Sequence, residues 1–257
     1  MTPRRRTMPP RARTGRTPRA RTPDPATITI RDFGPISRGT IRLRPLTILT
    51  GPNNSGKSYA AMLACSLLSS INGPAGGVPG GALGESLTSC FGVPVRDLVR
   101  NGRGHALVSL GGAFSASISD TVRTRRSPAR RGAPGHVPPG IFHPRLPAAQ
   151  DRAPRRGRLY DLAVQMESEI LHGRIERAGS GITYRTPQAA VPLHAASSAA
   201  RALAPLLLYP KHAAAPGSLL ILEEPEAGLH PAGRALAARH VVRMVRAGLD
   251  VLLTTNS

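Results

Sequence analysis

The 257-residue sequence has no tryptophan, four phenylalanines, four tyrosines, two cysteines and two lysines. Cys65 and Cys90 form no CxxC pair and no disulfide framework. No apolar run approaches the roughly 20 residues that span a bilayer, which excludes a transmembrane helix. The basic N-terminus is followed by no 7–15-residue apolar stretch, so a secretory signal is absent from the pattern. Gly and Pro are plentiful, at 27 and 26, but follow no three-residue period, which excludes a collagen. These absences together predict a cytoplasmic protein. With 40% hydrophobic residues, the chain is long enough to bury a real core as one large domain or two small ones.

Acidic residues are also few: 14 Asp and Glu face 35 Lys and Arg, a formal charge of +21. Of those 35, 33 are Arg. The excess is concentrated. Residues 1–26 hold eight Arg against Asp24, and residues 122–158 hold ten against Asp151, so two stretches supply +16. Both are rich in Pro, Gly, Thr and Ala and cannot bury enough apolar area to offset ordering, so both are expected to be disordered. One reading is electrostatic contact with nucleic-acid phosphates. The other is a codon bias toward Arg, Pro, Ala and Gly. No aromatic interrupts residues 1–26, so that stretch offers no stacking platform for single strands.

The ordered part is expected from Thr27 onward. Residues 27–31 and 40–44 alternate as half-buried strands, and residues 46–50 read as a short buried strand. Residues 57–68 are apolar nearly all round, predicting a helix buried on several sides. Residues 71–87 read as a Gly/Pro-rich loop, and residues 106–110 and 113–118, split by Gly111-Gly112, as a hairpin. Helical spacing recurs through Leu159, Leu162, Ala163, Met166 and Ile170, and a second helix is expected over 198–208. Residues 182–184 read as a short strand and residues 219–222 as a buried one. Pro231 then opens a helix with Ala238, Val241, Val242 and Val245 on one face, and residues 251–255 form the last strand. Strand–helix–strand units of this kind predict an α/β fold with a mostly parallel sheet flanked by helices.

The strongest chemical signal is Gly51-Pro52-Asn53-Asn54-Ser55-Gly56-Lys57-Ser58, a complete G-x-x-x-x-G-K-[ST] between a predicted strand and a predicted helix. Its glycines let backbone N–H groups and the helix N-terminus face phosphates. Lys57 is expected to reach the β- and γ-phosphates, and the Ser58 hydroxyl to ligate Mg²⁺. A chain that otherwise uses Arg has placed one of its two lysines here, where a compact ammonium is needed.

Glu223, Glu224 and Glu226 put three acids in four positions at the exit of a buried strand, where they need a cation or donors to offset desolvation. Ligand sites of parallel sheets lie at the carboxyl ends of strands, so this end should meet the phosphate loop. Glu223 is then placed to orient Mg²⁺ and Glu224 to polarise an attacking water. The alternative is a plain acidic turn capping the helix after Pro231. Eight His show no metal-ligand spacing.

These motifs resemble the ABC-type P-loop ATPases that include RecF, SMC proteins and the overcoming-lysogenization-defect nucleases, grouped with AAA family ATPases. Residues 30–36 and 46–58 look like the entry strands and Walker A loop, and residues 223–231 like Walker B and the D-loop. The resemblance implies an ABC-ATPase-like head with antiparallel N-terminal strands and a helical and antiparallel lobe inserted between the motifs. It implies ATP and Mg²⁺ as ligands and a homodimer that sandwiches nucleotide. In that arrangement a signature loop of one subunit closes over the γ-phosphate held by another. Residues 196–201 match the signature, with Ser198 as its donor, although Ala199 stands where the family has Gly; an ordinary Ser N-cap is the alternative. Residues 254–257 look like the family's Thr-His-Ser switch, with Asn256 in place of His. An amide can donate to a γ-phosphate but carries no charge, which points to slow hydrolysis. No Gln-loop is identifiable. The chain ends at this switch, where relatives continue and some add a nuclease domain, so a truncated product or fragment is expected.

The resulting expectation is an ATP-hydrolysing dimerisation switch serving DNA maintenance or phage defence, with DNA and a nuclease or other effector as partners. A hydrolysis-poor nucleotide switch and the nucleotide-binding subunit of a transporter are the alternatives.

Overall fold

A computed structural model describes residues 26–71, 80–111, 114–126, 140–142, 156–178, 181–212, 214 and 217–256. The expected basic tail, apart from residue 26, lies outside the described residues. Strands β1 (Thr27–Phe33) and β2 (Ile36–Arg42) form an antiparallel hairpin, and β3 (Leu46–Thr50) runs into the glycine loop. Helix α1 (Lys57–Ile71) is followed by α2 (Gly80–Phe91), then β4 (Ala106–Leu110), β5 (Phe114–Ile118), β6 (Val122–Arg126) and β7 (Gly140–Phe142). After α3 (Tyr160–Met166) come β8 (Arg174–Ala178), β9 (Gly181–Arg185) and β10 (Ala190–Pro192). Helix α4 (Ser198–His212), β11 (Leu219–Glu223), α5 (Pro231–Arg246) and β12 (Asp250–Thr255) complete the described chain.

Three sheets result. β2-β1-β4-β5-β6 is antiparallel, β10-β9-β8 is a small antiparallel sheet, and β3-β12-β11-β7 pairs in parallel throughout. The two central strands, β11 and β12, are covered on both faces, as their near-continuous apolar runs require. Alternate residues divide between two cores. Leu219, Ile221 and Leu252 join α1, α2 and the inner face of the five-stranded sheet. Leu220, Leu222 and Val251 join α3, α4 and α5 on the other side.

Several expectations are corrected. Residues 80–87 are helix rather than loop, because Leu83 and Leu87, one turn apart, are fully buried in the core shared with α1. The basic run expected to be disordered from 122 begins as strand: β6 pairs with β5, with Arg123 and Arg125 exposed and alternating with Val122 and Thr124. β7 and residues 156–158 are also described, whereas residues 127–139 and 143–155 lie outside the described residues. β3 is an edge strand of its sheet and leaves Ile48 52% exposed, so it is not the fully buried strand expected. On α5 the buried face is Ala237, His240, Val241 and Met244, while Ala238 and Val242 point outward. Reading His as polar hid this face, since His240 is buried through its bond to Glu169.

The helix expected from Leu159 widens after Met166 into a π-helical turn, Glu167–Leu171. That turn buries Glu167 against Lys211, the second of the two lysines, with Nζ 2.5 Å from Oε1. Glu167 Oε1 also accepts from Ile175 N–H, and Lys211 donates to the Ile175 carbonyl. This polar knot pins α3, α4 and β8 together inside an otherwise apolar lobe.

Candidate functional site

The site lies at the carboxyl ends of three neighbouring parallel strands. In register, Thr50 of β3 faces Thr255 of β12, and Glu223 of β11 faces Thr254. Whatever follows each strand therefore emerges at one level: Gly51 after β3, Glu224 after β11 and Asn256 after β12. This is the edge at which parallel sheets bind ligands.

From Gly51 the chain wraps through the loop and enters α1 at Lys57, aiming the N-terminal N–H groups of that helix at the loop's hollow. Gly56 makes the turn with φ +92°, and a Cβ there would lie 2.7 Å from Ile36 Cγ1, so backbone conformation and space both call for glycine. Asn54 takes a left-handed φ of +62°, which its short polar side chain tolerates. Lys57 Nζ donates to the carbonyls of Gly51 (2.7 Å) and Pro52 (2.8 Å), so its ammonium is held over the loop.

A cleft of 660 Å³ opens above this loop. It is lined by Asn53 through Ser58, by Glu224 and Asn256 from the neighbouring strand ends, and by Pro35 and Tyr59. Glu224 turns out of β11 with φ +43°, its N–H donating to the Thr254 carbonyl and its own carbonyl accepting from Ala227. A non-glycine residue in this conformation carries local strain, and here it directs a carboxylate into the cleft. Asn256 Nδ2 donates to Glu224 Oε1, and Thr255 Oγ1 donates to Glu226 Oε1.

A family model described as "AAA domain, putative AbiEii toxin, Type IV TA system" matches residues 120–257, more than half of the chain. The chain belongs to this AAA family. The fold agrees. An SMC head solved with the C-terminal winged-helix domain of ScpA is 14% identical with a TM-score of 0.55, over 90% of this chain and 89% of that one. An SMC head with an extended coiled coil, bound to the C-terminal domain of ScpA from Pyrococcus furiosus, is 11% identical with a TM-score of 0.56, over 92% and 90%. No curated protein matches the chain. The resemblance to P-loop ATPases of the SMC, RecF and AAA type is thus borne out, and the glycine loop of this AAA domain lies upstream of the segment that the family model matches.

Not every site residue expected from the sequence meets in the cleft. Glu223 ends β11 half-buried, does not line the cleft, and has no side-chain partner among the described residues. Ser198, the first residue of α4, is also elsewhere: it packs on the turn after Glu224, where a Cβ at Gly228 would lie 3.3 Å from its Oγ. The capping role belongs to its neighbour, since Ser197 Oγ accepts the Ala200 N–H at 3.2 Å. The Ser198 hydroxyl is exposed and has no hydrogen-bond partner among the described residues.

Sequence reasoning missed Pro35 and Tyr59. Tyr59 follows Ser58 directly, so its place on the first turn of α1 was legible. Its pairing with the β1–β2 turn was not. The ring sits where any Cβ on Gly34 (φ +49°) would approach within 2.4 Å, and it packs with Phe33 and Phe91 at centroid distances of 6.2 and 5.1 Å. Phe33 itself is fully buried and belongs to the core rather than to the cleft.

Proposed function

We propose that this AAA-type domain binds Mg·ATP in the cleft above Gly51–Ser58 and hydrolyses it slowly, using the nucleotide to close a homodimer in an operation on DNA such as maintenance or phage defence. The observation that carries this reading is the convergence of Lys57, Ser58, Glu224 and Asn256 on one cleft. The N–H groups of Asn53 to Ser58 and the α1 N-terminus would bind the β- and γ-phosphates. Lys57 would exchange its two carbonyl partners for phosphate oxygens. Glu224 would accept a proton from water as its oxygen attacks the γ-phosphorus and the bond to the β-phosphate oxygen breaks, yielding ADP and phosphate. The second N–H of Asn256 Nδ2 is free to donate to the γ-phosphate while the first holds Glu224.

Of the two residues assigned to Mg²⁺, Ser58 offers a hydroxyl in the cleft, while Glu223, outside the cleft lining, offers a half-buried carboxylate at the neighbouring strand end with no side-chain partner among the described residues. Ser58 would hold the ion and Glu223 would act on it from beside the cleft; the ion when bound neutralises phosphate charge. The exposed Ser198 hydroxyl at the start of α4 would reach the γ-phosphate of a second copy. No helix among the described residues is long and apolar enough to cross a membrane, in keeping with a cytoplasmic site of action.

A second reading, a nucleotide switch with little hydrolysis, is favoured by Asn256 and Ala199, which stand where relatives carry His and Gly. A single-turnover assay of wild type beside Glu224→Gln and Lys57→Ala separates the two. Phosphate release lost in Glu224→Gln with ATP still bound supports hydrolysis, and binding without release in wild type supports the switch. Absence of ATP binding in wild type rejects both.

A further inference from the structure

The outward face of the five-stranded antiparallel sheet is built of two cross-strand rows. Pairing registers set Arg38, Arg31, Leu107, Ser117 and Arg123 side by side across β2, β1, β4, β5 and β6. The next row on the same face is Thr40, Thr29, Ser109, Ser115 and Arg125. The opposite face, with Ile28, Ile30, Val108 and Ala116, is core. The outer rows line a shallow groove of 630 Å³.

We propose that this groove is a docking surface for duplex DNA. Neither row contains an acid, and none of its four arginines is ion-paired among the described residues. The cations stand at the two borders and short hydroxyl side chains fill most of the floor. Arg38 and Arg123 lie four strand spacings apart, roughly 19 Å at about 4.8 Å per strand. That reach brackets a B-form major groove about 12 Å wide together with the phosphates on either side. The hydroxyls between can donate to backbone oxygens, as phosphate-positioning contacts do. No aromatic lies in either row, so the face has no stacking platform for unpaired bases. The narrow major groove of A-form RNA places its phosphates differently.

This proposal deepens the DNA link in the proposed function and rests on it, so its test keeps the two apart. Binding of the full chain to a fluorescent 24-base-pair duplex of arbitrary sequence is followed by anisotropy, and ATP binding is measured on the same preparations. With four phosphate contacts the affinity should fall about 100-fold between 50 and 200 mM salt. Arg31→Ala/Arg123→Ala should weaken duplex binding at least tenfold and leave ATP affinity unchanged. Arg239→Ala/Arg246→Ala, which removes the same charge from the exposed side of α5, should weaken it less than threefold. Equal losses in the two variants, salt-insensitive binding, or equal or tighter binding of single-stranded DNA or duplex RNA overturns the docking surface. Loss of ATP binding in wild type alone overturns the ATPase reading and leaves the surface standing.

Discussion

Asn256 Nδ2 donates a hydrogen bond to Glu224 Oε1, so the residue that follows β12 holds the carboxylate that follows β11. The Asn256 amide has two N–H groups, so in the proposed mechanism it can orient Glu224 with one and donate to a phosphate with the other. Asn256→Ala is expected to release the carboxylate and slow single-turnover hydrolysis by about tenfold or more, with ATP affinity changed little. Unchanged hydrolysis would remove Asn256 from the mechanism.

Gly56 combines φ +92° with the 2.7 Å approach to Ile36. Gly56→Ala should therefore cost about 1–3 kcal/mol of stability and weaken ATP binding. Adding Ile36→Ala relieves the contact but not the backbone strain, so it should rescue only in part. Thermal melts with and without Mg·ATP read both effects, and full rescue would show that backbone conformation does not matter here.

Lys211 and Glu167 are buried together, and Glu167 Oε2 has no hydrogen-bond partner among the described residues. Removing one partner strands the other charge, so Lys211→Met alone should destabilise the protein by about 3–5 kcal/mol. Lys211→Met with Glu167→Leu should recover much of that loss. Urea unfolding midpoints of the single and double variants test the pair, and a harmless single substitution would contradict it.

The buried His240 bonds Glu169 Oε2 at 2.9 Å, with Arg243 beside the same carboxylate. Burial holds the imidazole below its ordinary range, against the opposing pull of Glu169 and with Arg243 and Arg239 adding to the depression. The hydrogen bond from His240 leads in holding the Glu169 carboxyl below its own ordinary range, opposed by partial burial and aided by Gln165 and Arg243. The unfolded chain thus takes up protons before the folded one at both groups. Their stabilising contributions are present above the unfolded values, about 6.5 for His and 4.3 for Glu, and are lost as pH falls through the lower folded values. Unfolding free energy should decline below about pH 6.5, and His240→Gln should flatten the first part of that decline. An identical pH profile in the variant would exclude His240 as its source.

Much of the site was legible in the chain because its chemistry is local. Gly51 to Ser58 are consecutive, and their residue types specify a loop that wraps phosphate. Glu224 announced itself as a carboxylate at the mouth of an apolar strand. The helix at 80–91 was not legible, since its glycine-rich start hides Leu83 and Leu87, which declare themselves only against α1. β6 was hidden in the same way, because a run of arginines reads as solvated until β5 supplies its backbone partners.

By itself, then, the sequence determined the phosphate loop, the acidic strand end and the alternation of apolar strands with helices, since each depends on neighbours within a few residues. Tertiary structure alone decided that Glu224 and Asn256 share the cleft with Lys57 while Glu223 and Ser198 stand outside it. It also decided that Pro35 and Tyr59 form a wall of that cleft, and that arginines from β1, β2 and β6 line up on one face. These are matters of register between strands far apart in the chain, and strand register is set by which apolar faces must be buried together.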